Sequence, residues 1–170
     1  MKYFFDTNVI IDLLGQNKKL DDKRESKEEE QQRKKEAKLK AQERLEKVLL
    51  EENSEIFINR LVFVEALRTI HFTHSKKFRE AKNTLDSFTK VNIKQEIYNE
   101  AIEFSRFCHS KGVKLKGKCE AIDFLHFMTA KYYELTIISN DKDLEKLEEQ
   151  YIKFLEKNLC NSPFHLKKRQ

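Results

Sequence analysis

Apolar residues open the chain as a block, Tyr3-Phe4-Phe5, stop at Asp6-Thr7-Asn8, and resume at Val9-Ile10-Ile11. The first block reads as a short buried strand over residues 3–5, and the second, carried on to Leu14, predicts the start of a helix. Asp, Thr and Asn between them are all good helix caps. A carboxylate leaving a strand for a helix N-terminus stands where open α/β sheets place their ligand sites. A charge withdrawn from water needs partners, because its desolvation costs several kcal/mol.

The pattern then changes. Residues 18–52 are almost wholly Lys, Arg, Glu and Gln. No apolar stripe runs through the part before residue 36, whereas Ala37, Ala41, Leu45, Val48 and Leu49 fall on one helical face. One long helix is predicted, its C-terminal half packed on the core and its N-terminal half projecting, supported by i,i+4 pairs such as Glu30–Lys34. Its charges balance locally, which favours a solvated face over the alternative of an arm for RNA or a protein partner.

Further along, residues 55–58 predict a second strand. A helix over 59–69 follows, with Leu61, Val64, Ala66 and Leu67 apolar and Glu65 lodged among them. A helix over 76–88 carries Phe78, Ala81, Leu85 and Phe88, and 91–93 suits an edge strand. Residues 95–110 are amphipathic through Ile97, Ala101, Phe104 and Cys108, with Gly112 as a C-terminal stop. Residues 120–133 are apolar nearly all round and predict a buried helix, yet Asp123 lies close to its start. Strand 136–138 runs into Ser139-Asn140-Asp141-Lys142-Asp143 and another helical pattern, 151–154 reads as a last strand, and the end is a basic tail. Strands separated by helices predict a three-layer α/β/α sandwich with a central, mainly parallel sheet. The expected organisation is one domain over 1–156, with a charged helical insertion at about 18–52 and a tail over 157–170.

Composition adds bounds. The 170 residues carry a formal net charge of +5, compatible with a polyanionic partner. Three Gly and one Pro agree with long helices. Cys108, Cys119 and Cys160 lack zinc-finger spacing and read as reduced packing cysteines of a cytoplasmic protein. The apolar start, broken by Asp6, does not read as a signal peptide, and nothing in the pattern approaches a membrane span.

Four places share one anomaly: Asp6 after the first strand, Glu65 in an apolar helix, Asp123 near the start of a buried helix, and Asp141 after the fourth strand. In a parallel sheet the strand C-termini share one edge, so all four can converge there, with Asp143 close by. Taken singly each has a plainer reading. Asp6 and Asp123 are helix caps, Glu65 pairs with Arg60 or Arg68, and Asp141 and Asp143 are cap and turn residues. Taken together they repel, by about 3 kcal/mol for a pair about 5 Å apart at an effective dielectric near 20. Such a cluster must hold protons or cations. Carboxylates without His or Cys suit a hard ion such as Mg2+ or Mn2+, and that points to phosphoryl chemistry.

Three stretches carry a resemblance: FFDTNVIIDLL at 4–14, INRLVFVEALR at 58–68, and AIDFLHFMTAKYYELTIISNDKDLEKL at 121–147. With these the chain resembles the PIN-domain nucleases, and particularly the VapC-type toxins of bacterial toxin–antitoxin pairs. The resemblance implies a metal-binding catalytic quartet of Asp6, Glu65, Asp123 and Asp141. Asp143 would act beside it through water, and Asn8 and Ser139 would orient a carboxylate or water. It also implies Mg2+- or Mn2+-dependent hydrolysis of RNA, an antitoxin protein as partner, and a homodimer. Asn59 and Ser139 depart mildly from the family pattern, where Ser and Thr are common, and the long charged helix departs more. Arg68, Lys131 and Lys142 are candidate phosphate contacts, while His71, His74 and His126 are read as non-catalytic. A nuclease of RNA processing or decay and a non-catalytic RNA- or protein-binding module are the alternative functions.

Overall fold

The computed structural model describes residues 1–15, 27–115 and 120–161. Its elements run β1 (Lys2–Phe5), α1 (Thr7–Leu13), α2 (Lys27–Leu50), β2 (Glu55–Asn59), α3 (Arg60–Leu67), α4 (Ser75–Asp86), β3 (Thr89–Val91), α5 (Gln95–Ser110), α6 (Glu120–Tyr132), β4 (Thr136–Ile138) and α7 (Lys142–Asn161). They form two units, one of Met1–Ile93 with Thr129–Asn140, the other of Lys94–Met128 with Asp141 and the residues after it. The fold is mixed α/β around a parallel four-stranded sheet, as the pattern predicts. Among the described residues no helix is long and apolar enough to cross a membrane.

The sheet belongs to the first unit, in the order β3-β2-β1-β4, with every pairing parallel. Strands covered on both faces read as unbroken apolar runs, and β1 shows this, with Phe4 and Phe5 wholly buried. Phe4 stands opposite Phe57 of β2 on one side and Ile137 of β4 on the other. From β1 the chain moves outward to β2 and β3, then returns to β4 on β1's other flank. The strand order therefore reverses between β1 and β4, and ligands of open α/β sheets bind at that reversal, beyond the strand C-termini.

Local chemistry sets the helix that follows β2. Asn59 is extended and fully buried, and its Oδ1 accepts from the N–H groups of Leu61 and Val62 at 3.0 and 3.2 Å. Two of the four orphan donors of α3 are thereby satisfied. Val62 and Ala66, one turn apart, form the buried face. Val64, one of the apolar positions of this helix, is 62% exposed, because the buried stripe runs through Val62 and Ala66. On α4, Ala81 and Leu85 are buried as expected, while Phe78 is exposed. The edge strand falls at Thr89–Val91 rather than 91–93.

Helix α2 is observed from Lys27; residues 16–26 and the side chains of Glu30 and Lys34 lie outside what is described. Its inner face is Ala41 and Val48, both buried, whereas Leu49 is turned to solvent. At the far side of the sheet, the α6–β4 turn closes with Glu134 in the left-handed region at φ 56°. The N–H groups of Glu134 and Leu135 return to the carbonyls of Lys131 and Ala130. This Schellman closure brings the chain directly into β4.

The second unit is built on aromatic packing. Phe104 of α5 has four ring neighbours, Phe124, Phe127, Tyr151 and Phe154, with centroids 5.3 to 5.6 Å away. The strand expected over 151–154 is thus corrected to helix. Leu147, Tyr151 and Phe154 recur at helical spacing, and that face packs on Phe104. Helix α7 also runs through the start of the expected tail; residues 162–170 lie outside what is described. Gly112 ends α5 at φ 68°, donating to His109 O while Val113 N–H reaches Cys108 O, another Schellman closure. Cys108 is a buried free thiol, as expected; Cys119 and the Cys160 side chain lie outside what is described.

Two outcomes test this account. Asn59→Ala should cost about 1–2 kcal/mol in urea denaturation with an unchanged m value, and Asn59→Ser, which keeps an acceptor oxygen, should cost less. Burial pushes the Cys108 thiol from 9.0 up to about 11. The unfolded chain then loses this proton first, so folding stability contributed by the neutral thiol is intact below about pH 9 and declines between about 9 and 11. In a Cys119→Ser/Cys160→Ser background, iodoacetamide at pH 8 should label Cys108 only after denaturation.

Candidate functional site

The site begins where β1 ends. Asp6 N–H donates to Ile138 O at 3.1 Å, adding one rung to the β1–β4 ladder, and Asp6 O accepts from Ile10 N–H at 3.2 Å. Asp6 is therefore the last residue of the strand and the N-cap of α1 together. Its side chain, 5% exposed, is fastened at both oxygens. Oδ1 accepts from Thr7 N–H at 2.8 Å. Oδ2 accepts from Ser139 Oγ–H at 2.8 Å and from Asn8 Nδ2–H at 3.5 Å. Ser139 reaches Asp6 because Phe5 is paired with Ile138, so the residues after the two strands emerge side by side.

Glu65 enters from α3. The Thr7 hydroxyl donates to Glu65 Oε2 at 2.6 Å. Thr7 is thus shared between two carboxylates, its backbone N–H on Asp6 and its side chain on Glu65. A sequence reading that treats Thr7 as a packing or capping residue misses this link, since nothing in local spacing signals an interaction between positions 7 and 65. The sequence likewise gives no sign of a second link: Asn140 Nδ2–H donates to Asp12 Oδ2 at 2.8 Å, tying the segment after β4 to α1. Arg68 is exposed at the end of α3 and Lys131 half-buried on α6, both in this first unit.

The remaining acids belong to the second unit. Asp123 is half-buried on α6. Asp141 precedes α7, and its Oδ1 accepts from Asp143 N–H at 2.8 Å, so the capping role is realised. Asp143 is buried, and Lys146 Nζ donates to its Oδ1 at 2.5 Å. Lys146 had no place in the sequence reading, although its i,i+3 spacing from Asp143 signals the pair. Lys142 is exposed at the first turn of the same helix. Of the histidines, His126 is buried and His71 and His74 are exposed. Within either unit, among the described residues, no group of three or more His, Cys, Asp or Glu forms a ready metal cage.

The fold and this arrangement define a parallel α/β protein that mounts a buried Asp, hydroxyl-linked to a Glu, at the reversal point of its sheet. A family model, the PIN domain, matches residues 3–150, and the chain belongs to that family. PIN domains are generally nucleases and typically use divalent metal ions. A comparison with curated proteins finds no match.

If Thr7 holds Glu65, Thr7→Val should destabilise by about 1–2 kcal/mol, through loss of the donor to a partly buried carboxylate. Thr7→Ser, which keeps the hydroxyl, should stay within about 0.5 kcal/mol of the parent on thermal or urea unfolding.

Proposed function

We propose that the protein is a metal-dependent endoribonuclease that hydrolyses RNA phosphodiesters, and that it acts in the cytoplasm as the toxin of a type II toxin–antitoxin pair. The observation that carries the activity is the Asp6–Thr7–Glu65 arrangement beside Ser139, in a chain of the PIN family. Its donors to a cation are carboxylate oxygens alone, which fits Mg2+ or Mn2+ better than zinc or copper. Asp6 and Glu65, with Asp123 and Asp141, would hold the ion. Bound there, such an ion would supply charge neutralisation at the phosphate and activation of a water.

The chain's own residues then have defined tasks. Ser139 and Asn8 fix Asp6 Oδ2, and Thr7 fixes Glu65 Oε2, so neither carboxylate swings when substrate enters. Asp143 supports the site through water. Arg68, Lys131 and Lys142 supply phosphate contacts, and no side chain becomes covalently attached to RNA. The toxin assignment draws on the three VapC-like stretches and brings with it an antitoxin partner and a homodimer. A second reading, a nuclease of RNA maturation or decay that docks through α2, is favoured by Leu39, Leu49 and Leu50, which are 56, 60 and 84% exposed on that helix.

The test is cleavage of single-stranded and structured RNA with Mg2+, Mn2+ or EDTA. Asp6→Asn and Glu65→Gln should each lower the rate at least about a hundred-fold. Asp6→Asn should melt at or above the parent temperature without metal, since one of two neighbouring charges is gone. Mn2+ should raise the parent's Tm and leave that of Asp6→Asn unmoved. Growth arrest on expression, relieved by Asp6→Asn, separates the toxin from the processing enzyme. Absence of both cleavage and a metal-dependent Tm shift would leave a binding module.

A further inference from the structure

One face of α2 carries an arginine where its spacing calls for an apolar residue. Ala41 and Val48 are buried, and Arg44 lies between them at i+3 and i+4 spacing, half-buried. Its Nη1 is buried with no hydrogen-bond partner, a costly state for a charged nitrogen. Arg44 lines a cavity of about 310 Å3 together with Lys47, Glu51, Tyr3, Ile138 and Ser139. The cavity's carboxylate, Glu51, makes no ion pair with Arg44. Glu51 Oε2 accepts from the Tyr3 hydroxyl at 2.5 Å, and that bond pushes the Tyr3 pKa up, so the phenol stays a donor. Among the described residues neither Arg44 nor Lys47 forms an ion pair. The far wall of the cavity is Ser139, whose hydroxyl holds Asp6 Oδ2.

From this geometry we propose that the cavity between α2 and the β1–β4 pair is a phosphate-binding subsite. Arg44 and Lys47 hold there a backbone phosphate of the RNA strand, one residue removed from the Asp6 cluster. The identity of the strand rests on the nuclease reading; the demand for an anion rests on the two cations, Arg44 and Lys47, that line the cavity without an ion pair among the described residues. Arg44 offers a planar fork to phosphate oxygens and Lys47 a mobile point charge. A phosphate is favoured over a carboxylate because the cavity shares Ser139 with the acids proposed to act on a phosphodiester. The helical insertion thereby becomes part of the substrate groove, which a purely solvated arm would not be.

The experiment uses Asp6→Asn protein, which should not cleave, and a fluorescent single-stranded RNA oligonucleotide titrated over a salt series. Adding Arg44→Ala and Lys47→Ala should weaken binding about ten-fold and lower the salt slope by about 0.7 for each phosphate that is no longer neutralised. Arg44→Lys should fall between. Arg44→Met, which suits the buried face, should bind as weakly as Arg44→Ala while melting no lower than the parent, separating weaker anion binding from a weakened fold. With Asp6 intact, the Arg44 and Lys47 variants should raise KM and keep kcat. Unchanged affinity and slope, no oligonucleotide binding by the parent, or loss of poly-glutamate binding alone would each overturn the subsite, the last in favour of an acidic protein partner. Arg44-dependent binding without cleavage by any variant would uphold the subsite and remove the nuclease.

Discussion

A carboxylate that is almost fully buried at the end of a central strand constrains everything around it. Asp6 cannot keep its charge there without donors, because the desolvation penalty amounts to several kcal/mol. The fold supplies them by register. Pairing Phe5 with Ile138 delivers Ser139 beside Asp6, and the strand-to-helix turn delivers the Thr7 N–H. A slip of one residue between β1 and β4 would present Ile138 or Asn140 instead, so the same constraint that buries Phe4 and Phe5 also seats Asp6. Site and core are one specification, written in the β1–β4 pairing.

That constraint extends to Glu65 through one hydroxyl. Thr7 donates from both its backbone and its side chain, and the two acceptors are carboxylates on different helical segments. The donors from Thr7, Asn8 and Ser139 are neutral, so these bonds orient the oxygens without cancelling charge. A pair of oriented, partly desolvated carboxylates is the kind of donor set that suits a hard cation. Hydroxyl and amide donors fix where those oxygens point, which suits the metal-dependent nuclease proposed for this site.

Much of this is legible in the chain, for a physical reason. Short apolar blocks ending in Asp6 or Asn59 mark strands that stop at helix caps, and β1 and β2 follow from them. Residues 95–110 have a clear helical period and a glycine stop, and α5 occupies that span. Failures come where two signals compete. Tyr151 and Phe154 have strand-forming side chains, yet their spacing from Leu147 suits a helix, and packing on Phe104 decides the matter. Val64 is as apolar as Val62, yet only Val62 lies on the buried face of α3 with Ala66. In the site, Asp6 stands out as a charge within an apolar run. Thr7 does not, because its role depends on a residue 58 positions away. Asp141 shows the reverse: an acid that reads as a possible ligand also performs the plain capping task that its turn context suggests.

The charged insertion shows how a bland reading can hold for most of a helix and fail on one face. Balanced charge along α2 does argue for solvation, and most of its side chains are exposed. Charge balance, however, is a property of the whole surface, whereas a buried nitrogen is judged by its own surroundings. Arg44 sits in the stripe that joins α2 to the sheet, and replacing it with Leu or Met would ordinarily favour folding. A guanidinium with one buried nitrogen left without a hydrogen bond is a cost to the fold, and Arg44 shares its cavity with the serine that steadies Asp6. Arg44 and Lys47 line that cavity together without an ion pair among the described residues, so an anion held there would meet two cations at the rim of the candidate active site.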